Sequence, residues 1–348
     1  MKTRTARAMN RARRLGFAAV LLLGSAAGAA AQDKTLNLRL SLFVPPTHPL
    51  VQSARDWAAD LTKESGGTIR ATVFPSEQLG KAFDQYDMVR DGIADVAYIS
   101  PGYQPGRFPI INAGQLPFLV SNGHGGTTAV DAWYRKYAAR EMPDTHYCLG
   151  FVHDPGTFHS RRKITVPGDV SGMKVRPSQS VVGELVTILG GTNVQASAPE
   201  SRDAIERGVA DAITFPWGSI FLFGIDKVTK YSLDSPVYTT VFIWSMNKAV
   251  YEGASPAQRK VIDDHCSNAW ADRFAGPWVE FEAAGRERMR RAPGHEVVSL
   301  TPEQLAAWKS AAAPVLASWE NSVRAKGLDP AVVLGELKAL LKAHDAGL

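Results

Sequence analysis

Arg176 is the side chain in this sequence best placed to do chemistry. It sits near the end of Asp169–Ser178, which reads as a turn over Asp169–Gly172, a short strand, and then Pro177. Proline has no N–H to donate and a fixed φ, so it stops the strand just after the arginine. In open α/β sheets ligands sit beyond the carboxyl ends of strands. Arg176 therefore offers a planar, permanently charged fork where a small molecule can meet it, and that fork matches a carboxylate bidentately. Other strand ends add Phe43, Ser100 with Tyr103, Phe158, Ser178 with Gln179, and Phe215 with Trp217. Apolar walls around one charged anchor describe a small-molecule pocket. Each aromatic alone is more often a core residue, but as a group placed after four separate strands they predict a cleft.

Machinery for turnover is not legible. The chain has no Gly-x-Ser-x-Gly, His-Glu-x-x-His, Gly-x-Gly-x-x-Gly, phosphate-binding glycine loop or Cys-x-x-Cys. Its eight histidines show no metal-ligand spacing, His146 and His153 included. No residue stands out as a nucleophile or base, so no enzyme, cofactor or metal is expected.

The elements that position these side chains alternate as strand and helix. Leu36–Val44, Thr68–Phe74 and Val96–Ser100 read as strands, with helices over Leu50–Glu64 and from Leu79 to Arg90. The same grammar then repeats. Helices are expected at Val130–Glu141, Val181–Leu189 and Pro199–Arg207, and strands at Tyr147–Val152, Ile164–Val166, Met173–Arg176, Val194–Ala196 and Tyr238–Met246. Arg90–Pro101 and Glu206–Pro216 share one design: a helix end, a glycine stop, Ala-Asp, an apolar strand and a proline. Two copies imply two similar α/β lobes. Pro256 to about Ala292 has helical composition almost without a break, with Gly276-Pro277 expected to kink it, and that length suits a helix bridging both lobes. Thr301–Gly327 begins with a threonine cap and Pro302, and one or two helices end the chain with frayed last residues.

The first 31 residues read as an export signal. Six lysines and arginines without an acid precede the apolar run Leu15–Leu23, and Ala29–Ala31 fits a cleavage site before Gln32. Removing those six charges takes the formal net charge from +5 to about −1, so the basic balance belongs to the signal and supports no nucleic-acid partner. The remaining 317 residues exceed one ordinary core, and two domains are expected. Cys148 and Cys266 are the only cysteines; in an oxidising compartment they form either a disulfide or two buried thiols.

The chain resembles the substrate-binding proteins of tripartite ATP-independent periplasmic (TRAP) transporters over nearly its whole mature length. The pieces that carry this are the export signal, Gly66-Gly67, Gln78-Leu79-Gly80, Gly92–Asp95, Leu116–Phe118, Asp169–Arg176, Gly208–Asp211, Asn247 and the long helix. The resemblance implies a periplasmic carrier without an enzymatic step; its oligomeric state is not legible in the sequence, and a monomer is the default expectation. It would have two α/β lobes joined by a hinge, of the type II periplasmic binding protein kind, with the long helix spanning both. Lobe I would cover 33–153 plus 241–280, lobe II 154–240 plus 281–325, and a C-terminal helix or tail 326–348. Arg176 falls on the family's carboxylate-pairing arginine, and the partner would be an integral-membrane permease. Phe215 stands where many relatives have a polar residue, and Asp154–Thr157 lacks the second arginine of sialic-acid binders. Both departures favour an aromatic or branched hydrophobic monocarboxylate over a sugar acid. A periplasmic sensor for the same acids and a secreted α/β enzyme acting on an organic acid are the alternatives.

Overall fold

In the computed structural model, which describes residues 34–348, the alternating pattern resolves into two sheets. The expected export signal and the cleavage after Ala31 lie outside the described residues. The chain begins β1 (Leu36–Ser41), α1 (Pro49–Glu64), β2 (Ile69–Phe74), α2 (Gln85–Arg90), β3 (Val96–Ile99), α3 (Gly123–Tyr134), α4 (Ala138–Glu141) and β4 (Thr145–Val152). It continues through β5 (Thr157–Ser160), β6 (Lys174–Arg176), α5 (Ser180–Ile188), β7 (Thr192–Asn193), α6 (Ser201–Glu206), β8 (Ala212–Phe215), α7 (Ser219–Leu222) and β9 (Tyr231–Asp234). It ends with β10 (Val241–Asn247), α8 (Lys248–Gly253), α9 (Pro256–His265), α10 (Asn268–Arg290), β11 (Glu296–Ser299), α11 (Pro302–Ala325) and α12 (Pro330–Ala343).

The first sheet has the order β2-β1-β3-β10-β4 and the second β11-β9-β5-β8-β6-β7. Within each, the βα units pair in parallel, as β1 does with β2 and β3, and β6 with β7 and β8. One strand in each sheet reverses that direction. β10 lies antiparallel between β3 and β4, and β5 lies antiparallel between β8 and β9. Both reversals follow from the chain passing directly from β4 to β5 and from β9 to β10, so that two strands cross between the sheets.

The crossing segments are bonded to each other. The Gly156 N–H donates to the Tyr238 carbonyl at 2.8 Å, and the Val237 N–H donates to the Gly156 carbonyl at 3.1 Å. A Cβ on Gly156 would stand 2.7 Å from the Tyr238 hydroxyl and 2.9 Å from the Phe215 carbonyl oxygen, closer than real contacts allow. Glycine is what lets the two crossings touch.

α1 shows how local sequence sets a wall of the later site. His48 caps it by accepting the Leu50 N–H on its ring, Pro49 takes the first turn, and Leu50, Val51, Ala54, Trp57 and Leu61 form one buried stripe. Trp57 donates its indole N–H to the His265 carbonyl at 3.1 Å, tying α1 to the end of α9.

Several expected elements differ. The helix expected over Pro256–Ala292 is two, because Ser267 is extended and Cys266 is bonded to Cys148 of β4. α10 alone still reaches from α1 and α3 to α7 and β11, with Pro277 inside it. Ile164–Val166 is not a strand, since the Thr165 and Val166 N–H groups donate to the Asp169 carboxylate instead. β7 ends before Val194, and the Ala196 carbonyl turns to accept from Arg176. The helix expected from Val130 starts at Gly123, capped by Asn122, and stops at Tyr134. Its glycines admit close packing: a Cβ on Gly125 would collide with the His344 carbonyl. The chain's end is docked, not frayed, with α12 packed on α3 and Ala346 fully buried. β9 and β11, which sequence patterning missed, pair in parallel at the edge of the second sheet.

The Cys148–Cys266 disulfide spans a sequence separation of 118 and fastens β4 to the α9–α10 junction. Closing a loop of that length stabilises a chain by up to roughly 4–5 kcal/mol through the unfolded state. Replacing both cysteines with alanine is expected to lower the Tm, by denaturation under oxidising conditions, and to leave wild type and variant alike once reductant is added.

Candidate functional site

β6 delivers Arg176 into the space between the two sheets, where it is 1% exposed. Its Nε donates to the Ala196 carbonyl at 2.9 Å and its Nη2 to the Tyr103 hydroxyl at 3.0 Å. The guanidinium lies 5.7 Å from the centre of the Phe215 ring. No carboxylate among the described residues forms an ion pair with it. Glu200 feels its charge, but that carboxylate is held by the Ser197 N–H and hydroxyl at 2.8 and 2.7 Å, which keep it below the usual carboxylate range. A buried charge with only neutral partners is rare, because it forfeits hydration that nothing in the protein fully replaces.

Beside it lies a cavity lined mainly by aromatic side chains. Of the side chains named from sequence, Phe43, Tyr103, Arg176, Ser178 and Phe215 line it together. Tyr103 reaches across from the first sheet's side, and its oxygen accepts from both Arg176 and the Ala198 N–H, each at 3.0 Å. Its own O–H is left to donate elsewhere. Ser178 Oγ is buried without a hydrogen-bond partner. The end of the cavity at Arg176 is therefore a cluster of donors.

The other named residues do not line it. Phe158 faces away on β5 and packs on Trp308 of α11 at 5.5 Å. Gln179 caps α5, accepting from Val181 and Val182. Ser100 is buried with its Oγ unpartnered, and its carbonyl accepts the Tyr103 N–H at 3.1 Å. Trp217 turns away after Pro216 to meet His159 edge-on at 5.3 Å.

Side chains that sequence did not single out complete the walls: Tyr98, Phe242 and Trp278, with His48, His153 and Ser219. Phe43 stacks on Tyr98 at 4.6 Å, Tyr98 on Phe242 at 4.8 Å, and Phe242 meets Trp278 edge-on at 5.4 Å. This continuous aromatic surface suits a flat apolar body. Phe242 and Trp278 come from β10 and α10, far along the chain, and carried no strand-end signal.

Both histidines are neutral, with tautomers set by their neighbours. Thr240 N–H donates to His153 Nε2 at 3.1 Å, so Nδ1 holds the proton and gives it to the Asp154 carbonyl at 2.6 Å. Leu50 N–H donates to His48 Nδ1 at 3.2 Å, so the His48 proton is on Nε2, 3.5 Å from Ser219 Oγ. Behind Ser219, Glu282 of α10 is fully buried and accepts from the Gly218 and Ser219 N–H groups, the Ser219 hydroxyl and the Trp278 indole. The trio of Ser219, Glu282 and His48 is not a nucleophile with its base. The serine proton already points to the carboxylate, and the histidine nitrogen facing the serine is protonated. Among the described residues no group of His, Cys, Asp and Glu is arranged to hold a metal. The arrangement can bind an organic anion and hold it dry.

Residues 40–322 match the family described as bacterial extracellular solute-binding protein, family 7. A TRAP solute-binding protein of Rhodoferax ferrireducens T118, solved with copurified benzoate, is 28% identical with a TM-score of 0.84, covering 89% of this chain and 99% of that one. A marine-metagenome TRAP solute-binding protein specific for aromatic acid ligands, solved with 3-hydroxybenzoate, is 31% identical with a TM-score of 0.83, covering 90% and 99%. A solute-binding protein of Albidiferax ferrireducens is 24% identical over 267 residues, 74% of this chain and 77% of that protein.

Burial pushes His48 down to about 3, His153 to about 4 and His159 to about 3, and pushes Glu282 up to about 7. The unfolded chain takes up protons that the native histidines refuse. Their contribution is complete above about pH 6.5 and is lost as pH falls towards 4 and 3. Glu282 acts oppositely, its contribution being complete below about pH 4.5 and lost as pH rises through about 7. Wild-type Tm is therefore expected to fall between pH 6.5 and 4.5. In the same melting series His153→Gln should fall less steeply and Glu282→Gln more steeply.

Proposed function

This chain belongs to the bacterial extracellular solute-binding proteins of family 7, and from that premise we propose that it captures an aromatic or branched hydrophobic monocarboxylate between its lobes. The observation that carries this reading is the Arg176 guanidinium, buried, without an ion pair among the described residues, and facing an aromatic cavity. Arg176, with the hydroxyls of Tyr103 and Ser178, receives the carboxylate; Phe43, Tyr98, Phe215, Phe242 and Trp278 enclose the body. The relatives bound to benzoate and 3-hydroxybenzoate support the same ligand class.

The two lobes follow the two sheets, with lobe I 33–153 plus 241–280 and lobe II 154–240 plus 281–325, and 326–348 fastened onto the first. The paired crossings around Gly156 and Tyr238 act as the hinge. Ligand contacts to both lobes exist together only when the lobes are closed, so binding shifts the population to the closed form. That form then presents the acid to a membrane permease, and the carrier works as a monomer. Export precedes this: the chain is cleaved after Ala31, and the intact mass of the exported protein should correspond to a first residue of Gln32.

Calorimetry with benzoate tests the site. Arg176→Ala should lose at least about 100-fold in affinity while keeping a cooperative melt, because a buried carboxylate would face no cation. Arg176→Lys should lose about tenfold, since a point charge cannot reproduce the fork. Wild-type affinity in Arg176→Ala would overturn the reading.

A further inference from the structure

The cavity holds a second polar group that the carboxylate does not use. His48 is 2% exposed, lines the cavity and leans on Trp278 at 5.2 Å. Its Nδ1 lone pair is committed to the Leu50 N–H, so the neutral ring must carry its proton on Nε2. That N–H has one partner among the described residues, Ser219 Oγ, at 3.5 Å, the outer limit of a hydrogen bond. Ser219 Oγ gives its proton to Glu282, and the Trp278 indole N–H, bonded to Glu282 at 2.6 Å, lies 3.3 Å from it as a minor branch. The imidazole donor is thus underused inside an apolar enclosure, where an unmet polar group is costly. It is also separate from the anion anchor. Arg176 touches Ala196, Tyr103 and Phe215, whereas His48 touches Leu50, Ser219 and Trp278. His153, the other histidine in the walls, has both ring nitrogens bonded to the backbone and offers nothing.

We propose that His48 is a specificity-determining residue whose Nε2–H receives a neutral acceptor oxygen (hydroxyl, methoxy or keto) carried on the ring of the bound aromatic carboxylate. This rests on the carboxylate reading of Arg176. A second carboxylate is disfavoured at this position because it would give up its hydration for one neutral imidazole N–H, too little to offset burying a charge. A substituent of the same size without an acceptor fills the space but leaves the N–H unmet. The site therefore reads the chemistry of the substituent and not its volume.

Isosteric pairs make the test. Calorimetry on the mature protein would compare 3-hydroxy- with 3-methylbenzoate and 4-hydroxy- with 4-methylbenzoate, with benzoate, isophthalate and terephthalate alongside. In wild type at least one hydroxybenzoate should bind about tenfold more tightly than its methyl isostere, the size expected for one buried hydrogen bond. Isophthalate and terephthalate should bind more weakly than benzoate. His48→Asn keeps a side chain able to cap α1 but cannot reach the cavity with a ring N–H. In that variant the ratio of hydroxybenzoate to methylbenzoate affinity should fall to about one, a ratio taken within the variant so that any change common to all the acids cancels. Equal affinities within both isosteric pairs, a preference that survives His48→Asn, or tighter binding of either dicarboxylate would overturn the assignment while leaving Arg176 as the anchor. If wild type binds none of these acids, the carboxylate reading itself fails and this inference with it.

Discussion

A guanidinium removed from water loses several kcal/mol of hydration even after the protein relaxes around it, and Arg176 is removed from water with a carbonyl and a phenol as its hydrogen-bond partners among the described residues. The surrounding structure is built to leave that charge incompletely answered. Glu200, the acid that senses it, is tied down by Ser197. The Tyr103 oxygen is saturated as an acceptor by two N–H groups, which turns its own proton outward. Ser178 adds another unspent hydroxyl. A cluster in which the unspent hydrogens outnumber the acceptors suits an anion, and burial makes each of them count for more than it would at the surface.

That site exists only because two sheets present their strand ends to one another. Two close approaches bring them together. One is at Gly156, where the crossings meet. The other is between α10 and the turn after β8: a Cβ on Gly285 would overlap the Gly218 backbone, and one on Gly218 would strike the Phe281 carbonyl. Glu282, one turn from Gly285, then collects four donors from that turn and from Trp278. A single helix thus supplies an aromatic wall, a polar clasp and the glycine that admits the clasp. The disulfide at its N-terminal junction holds the same helix against β4.

How much of this was legible can be traced residue by residue. Arg176 was readable because a turn, a short strand and Pro177 leave little choice about where its side chain emerges. Phe43, Tyr103 and Phe215 were readable for the same reason, each following a strand with a clear stop. Phe158 and Trp217 met the same criterion and went elsewhere. On β5 the alternation puts Phe158 on the face that packs against Trp308, and β5 itself was not recognised, so its faces could not be assigned. Gln179 was spent on capping α5, a local demand that competes for any polar side chain at a helix start.

Two α/β lobes, several strand ends that meet at one cavity and the arginine among them followed from the order of elements and from proline and glycine stops, because those signals act within a few residues of themselves. The chain order also carried the repeated stop at Gly92 and Gly208, both left-handed in the folded protein, at φ 72° and 70°. The rest depended on approach over long sequence distances. His48 gained its tautomer from the backbone of its own helix, but only folding set it against Ser219, 171 residues away, and Glu282 was brought to the same place from α10. Whether a polar side chain is a cap, a clasp or a free donor is decided by which partners reach it first. That competition is settled in three dimensions, where packing and not spacing determines which lone pairs and protons remain unspent.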